Sequence, residues 1–232
     1  MRLILFTVKT FQTMNFLSLN LLIICPLESE ITDIPVEACP EQMGQIQKIV
    51  FMRRESAVGT LNKMVVSSAD PTLLASWTTI LTATDSTKVQ VTPLIHNPEF
   101  DPGEPITDGG GNATAGGIEI VTGQEDSTFT YEFIRVKQTV IAALKGYNGE
   151  DMAVYFIDEH GHIWGLSDVP GGTMLNFLPI PVRAQFFSDK KPGGLEEADR
   201  NFCRLSLLPN WSDDLVPVVP ADFDALVELS GS

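Results

Sequence analysis

The sequence predicts an α+β, β-rich fold: a single-domain β-sandwich or partly closed barrel with about two short external helices. Three observations carry this expectation. Period-two alternation recurs along the chain, most clearly where Phe129, Tyr131 and Phe133 alternate with Thr128, Thr130 and Glu132. Apolar stripes at helical spacing occur in two stretches, around Trp77 and around Ile141. Finally, 44% of the 232 residues are hydrophobic, and 18 Gly and 15 Pro punctuate them. That share builds a core and excludes global disorder. No repeat and no linker divides the chain, so residues 35–232 read as one β-rich domain.

Glu28 to Pro40 is acidic, and Pro35 and Pro40 keep it extended. Gln45 to Phe51 alternates as a strand with one buried face, and Arg53-Arg54-Glu55 ends it in charge. Met64-Val65-Val66 is a short second strand. Asp70 predicts a helix N-cap and Pro71 the first helical position, where its missing N–H costs nothing. Leu73, Leu74, Trp77, Ile80 and Leu81 supply that helix's stripe, and β-branched Thr78, Thr79 and Ile80 keep it short. Thr87 to Ile95 is a strand with Val89 and Val91 on one face, ending near Pro93.

Residues 97–117 form the longest irregular stretch, holding Pro98, Pro102, Pro105, Gly109-Gly110-Gly111 and Gly116-Gly117. A loop of about twenty residues is either a flexible hairpin tip or an arm that orders against another chain. Gly117 to Val121 then pairs with Ser127 to Ile134 as a hairpin. Arg135 to Lys145 is the second helix, stopped by Gly146. Met152 to Ile157 is a dense apolar strand, Asp158-Glu159-His160-Gly161 turns, and His162 to Leu166 returns. Phe177 to Ser188 and Asn201 to Leu208 close the series around the Lys190 to Gly194 loop. Pro209 onward reads as an acidic tail. The total is about eight strands.

The 15 Lys+Arg stand against 30 Asp+Glu, a net charge of −15. Phosphates would be repelled, which argues against a nucleic-acid groove or an anionic membrane surface. Cys25, Cys39 and Cys203 form no CxxC pair and have no histidine at ligand spacing, so they predict apolar thiols rather than zinc. Residues 1–34 leave three readings open. Arg2 and Lys9 before the apolar run Phe16 to Ile24 resemble a signal peptide, with Cys25 where a lipoprotein is acylated. Equally, the start is called too early and Met14 or a later codon begins the protein, or the segment is an arm that pairs with a neighbouring subunit.

No catalytic, cofactor or metal set emerges. His160 and His162 straddle a turn beside Asp158 and Glu159, without further ligands nearby. No Gly-x-Ser-x-Gly elbow accompanies the three histidines. Glu196, Glu197 and Asp199, near Lys190, Lys191 and Arg200, read as a mixed-charge surface or subunit contact. Asp213, Asp214, Asp222 and Asp224 read as solvated acids. Asp101-Pro102-Gly103-Glu104 falls short of a calcium loop, and the glycine run lacks the Lys-Ser/Thr of a phosphate loop. Trp164, Trp211, Phe186, Phe187 and Phe202 read as core aromatics first and interface aromatics second.

The segment order carries a family likeness. Val36-Glu37-Ala38-Cys39-Pro40, Gly44 to Ile49, the Trp77 helix and Asp85-Ser86-Thr87-Lys88-Val89 form one block. Gly109-Gly110-Gly111-Asn112, Val154 to Asp158 with Gly161, and Trp211-Ser212-Asp213 complete it. From about residue 35 onward this order resembles structural proteins of tailed phages and prophages of gut Bacteroidetes, including crAss-like viruses, and within them major tail tube proteins. The resemblance implies a non-enzymatic virion protein made in the host cytoplasm, a tail tube subunit ahead of a capsid-decorating or head–tail joining protein. It also implies stacked, commonly hexameric rings of identical subunits, contacts with other virion proteins, and DNA as cargo that does not stick to an acidic channel. No membrane association is expected. The rival expectation is a secreted or lipid-anchored Bacteroidetes surface protein, a β-sandwich that binds a ligand.

Overall fold

The structure, a computed structural model, describes residues 42–113, 117–169 and 173–230. The leader or arm over residues 1–34, together with Cys25, Cys39 and Val36 to Pro40, lies outside the described residues. In chain order come β1 (Ile46–Arg53), β2 (Glu55–Ala57), β3 (Thr60–Leu61), β4 (Met64–Val65) and helix α1 (Leu74–Leu81). Next are β5 (Val89–Val91), β6 (His96–Asp101), β7 (Pro105–Gly109), β8 (Glu119–Gln124), β9 (Ser127–Ile134) and helix α2 (Gln138–Lys145). Last come β10 (Met152–Asp158), β11 (Ile163–Ser167), β12 (Asn176–Leu178), β13 (Ile180–Phe187), β14 (Arg200–Leu207), β15 (Leu215–Val218) and helix α3 (Ala225–Glu228). The α+β, β-rich class is as expected; the sandwich is realised and no closed barrel is found among the described residues. Strands of two to four residues are too short to show alternation, which is why the described residues hold more strands than the sequence suggested.

The chain divides into two compact units. One comprises, among described residues, the hairpin within Pro105–Gln124; the other is Glu41–Glu104 with Glu125–Ser232. The larger unit is organised by the antiparallel pair β1–β10, in register from Ile46↔Asp158 to Arg53↔Met152. Both strands are buried on both faces, so the expectation of one buried face for β1 is corrected. Ile49, Phe51, Val154 and Phe156 enter one core with Phe129, Tyr131, Phe133, Ile141 and Leu205. Val50, Met52, Tyr155 and Ile157 enter a second core with Trp77, Phe177, Val218 and Leu229. The free edge of β10 is shared: Ala153 and Val154 pair with β13, while Phe156 and Ile157 pair with β11. The sheet therefore forks at β10. One branch runs β13–β14–β9–β6 and the other runs to β11, β12 and β4.

Several expectations change. Helix α1 begins at Leu74, not at Pro71. Asp70 Oδ1 instead accepts from the Thr72 N–H at 2.9 Å and the Thr72 hydroxyl at 2.8 Å, closing a turn before the helix. The stretch 97–117 is not one irregular loop, because β7 and all of β6 but His96 lie within it. Pro98 fits β6 because, among the described residues, that strand pairs only with β9, at a register shift where Asn97 takes a φ of 51°. The β8 strand pairs with β7, whereas β9 lies between β14 and β6. Phe177 to Ser188 splits at Pro179 into β12 and β13, whose partners differ. The expected acidic tail is ordered: β15 pairs with β11 from Ile163↔Val218 to Leu166↔Leu215. Gly146 ends α2 with a right-handed φ of −62°, donating to the Ala142 carbonyl at 3.2 Å.

Candidate functional site

The hairpin β7–β8 stands out by its surface. Every residue of both strands is exposed. Register pairs Asp108 with Ile120 and Ile106 with Gly123, leaving Thr122 as the extra residue of a bulge. Ile106, Asp108 and Ile120 thus share a face, with Val121 on the other. Ile106 is 47% exposed, Ile120 45% and Val121 65%. At the tip, Gly109, Gly110 and Gly111 all have positive φ, a backbone geometry that glycine adopts without strain.

The larger unit holds a cleft of ≈ 420 Å³ beside α2. Phe51, Val140, Leu144 and Tyr147 give it an apolar wall, and Lys48, Gln90, Thr92 and Ser230 give it polar atoms. A β-bulge at Gln47 precedes Lys48 in β1 and sets the direction of its side chain. The buried Lys48 Nζ donates to the carbonyls of Leu226 at 2.6 Å and Leu229 at 3.0 Å. Burial lowers its pKa below the ordinary lysine value, opposed in part by the Asp224 carboxylate. Thr92 Oγ1, also buried, accepts from the Ile49 N–H at 3.0 Å. A neighbouring cavity of ≈ 350 Å³ shares Phe51, Gln90, Ala143 and Tyr147 and adds Arg53, Lys88, Asp85 and Glu150. Arg53 Nε donates to Glu150 Oε2 at 2.8 Å, and that bond holds the glutamate below its usual range.

The residues weighed in the sequence fall elsewhere. Asp158 is 0% exposed. Its Oδ1 accepts from the His160 and His162 N–H groups, each at 2.9 Å, and its Oδ2 accepts from Trp164 Nε1 at 2.9 Å. The turn is therefore built around a buried carboxylate, with His160 exposed and His162 half-buried. Among the described residues, no group of three or more His, Cys, Asp or Glu could hold a metal ion. Asp199 takes the Gly193 N–H at 3.2 Å and Lys190 Nζ at 3.3 Å; the backbone donor first and the ammonium second lower its pKa. Glu196 and Glu197 stay exposed.

Asp222 and Asp224 are helix caps rather than merely solvated acids. Asp222 Oδ1 accepts from the Leu74 N–H at 2.9 Å, so it supplies α1 with the cap expected from Asp70. Asp224 accepts from the Leu226 N–H at 2.9 Å, and Glu228 Oε1 accepts from the Asp224 N–H at 3.0 Å. Among the aromatics, Trp164 and Phe187 are core, Trp211 stacks on Phe100 at 5.5 Å, and Phe186 and Phe202 are exposed. Cys203 is a free, buried thiol. Lys48 was missed, because a lysine in a strand expected to bury one face reads as an outward residue.

No helix among the described residues is long and apolar enough to cross a membrane. Comparison with protein-family models, curated proteins and solved structures finds no match for this chain.

Proposed function

We propose that this chain is a virion structural subunit, a tail tube component that self-assembles into stacked rings around an acid-lined DNA channel. The observation that carries this reading is the hairpin β7–β8 with Ile106, Ile120 and Val121 in water. A two-stranded hairpin is marginal on its own, and exposed apolar side chains there gain stability once covered by a neighbour. Among the described residues, β5, β6 and β15 each pair on one side only, so they offer edges for strand addition between copies. A net charge of −15 suits a bore through which phosphates slide without being trapped.

The test is light scattering and negative-stain microscopy of the full chain beside a variant in which Gly-Ser-Gly joins Glu104 to Glu125. The Glu125 N–H donates to the Glu104 carbonyl at 2.9 Å, so a short linker closes that gap. Rings or tubes from the full chain and monomers from the variant are expected. A full chain that stays monomeric at high concentration overturns the reading and favours the secreted binding protein instead.

A further inference from the structure

We propose that the cleft between α2 and the β1–β5 edge binds a small amphipathic carboxylate, an anionic head on an apolar body. This stands on the cleft and not on the assembly reading. Two buried donors define the polar side. Lys48 has three N–H groups, of which the Leu226 and Leu229 carbonyls take two. Thr92 Oγ1 is used as an acceptor by the Ile49 N–H, which leaves its own O–H to donate. The apolar part of the lining, Phe51, Val140, Leu144 and Tyr147, matches a hydrocarbon or aromatic body.

The charge balance points the same way. Among the described residues, the ≈ 420 Å³ cleft is lined by one cation and no carboxylate, and the Asp224 carboxylate that acts on Lys48 lies outside that lining. A carboxylate head would gain charge-assisted hydrogen bonds where burial strengthens them. A cationic head would meet Lys48 with like charge, and a neutral hydroxyl would forgo the ionic part.

The experiment is isothermal titration of the full chain with decanoate and decylamine below their micelle concentrations and 1-decanol below its solubility limit. Decanoate is expected to bind about tenfold or more tightly than 1-decanol, and decylamine not at all. Ala143 and Thr139 are exposed on α2 and line the cleft, so Ala143→Trp and Thr139→Trp fill its mouth from outside the core. Each should weaken decanoate about tenfold while circular dichroism stays unchanged. The variant lacking the hairpin should bind decanoate like the full chain, which separates this site from the exposed Ile106 and Ile120. Absence of decanoate binding, equal binding of all three amphiphiles, or unchanged affinity in both tryptophan variants would overturn the assignment.

Discussion

Asp158 concentrates the most chemistry into one side chain. A carboxylate withdrawn from water is costly unless its oxygens are occupied, and here two backbone N–H groups and the Trp164 indole occupy them. Asp158→Asn keeps one acceptor oxygen but turns an amide N–H₂ toward donors. A loss of about 2–3 kcal/mol in urea unfolding is expected, and a loss under about 1 kcal/mol would contradict this role. The turn itself was legible, because Asp and Gly three residues apart favour that geometry; the total burial of the carboxylate was not. Cys203 behaves oppositely. Burial first, with Glu132 adding to it and Tyr131 opposing it, pushes the thiol up to about 12. The folded state thus favours the protonated thiol. Its contribution is intact below the unfolded thiol pKa of 9.0 and is lost as pH rises toward about 12. In a Cys25→Ser, Cys39→Ser background, Cys203 should resist alkylation at pH 8 until denaturant is added. Rapid modification of native protein would refute its burial.

At the scale of elements, α1 shows what a local reading reaches and where it stops. The stripe ending at Trp77, Ile80 and Leu81 was readable, and Trp77 is fully buried with its indole donating to the Pro71 carbonyl at 2.8 Å. The cap was not readable, since Asp222 comes from far along the chain to hold the Leu74 N–H. Asp222→Ala should lower stability by about 1 kcal/mol through loss of this helix cap, measured as a shift in the urea midpoint. Unchanged stability would mean that water replaces the carboxylate. The β9 strand was legible for the opposite reason. Its inner face of Phe129, Tyr131 and Phe133 is buried and its outer face half-exposed, the arrangement that period-two alternation encodes. In β1 both faces are buried, so polarity carries no sign of the second core, and Lys48 passes for an outward residue. The pairing of β8 was misread because Gly123 and the bulge at Thr122 blur its alternation.

Across the whole molecule, periodicity set the class and pairing set the architecture. A 44% hydrophobic chain had to bury a core and period-two alternation marked it as β-rich, but the fork at β10 depends on long-range register that no local pattern records. The hairpin's exposed isoleucines were likewise invisible while residues 97–117 looked irregular. The second core has a further consequence. Residues 215–230 give it β15, Ala225 and Leu229, cap α1 through Asp222, and offer Lys48 its carbonyl acceptors. A chain stopped after residue 212 should therefore expose Val50, Met52 and Trp77 and bind the dye ANS, where the full chain should not. Equal dye binding by both would contradict it. During translation, β1 and α1 leave the ribosome roughly 7–35 s before the segment that seals them, given synthesis at about 5–20 residues per second. Over that interval a nascent chain displays greasy surface to chaperones, and its folding finishes as a late docking step rather than by growth from the N-terminal side.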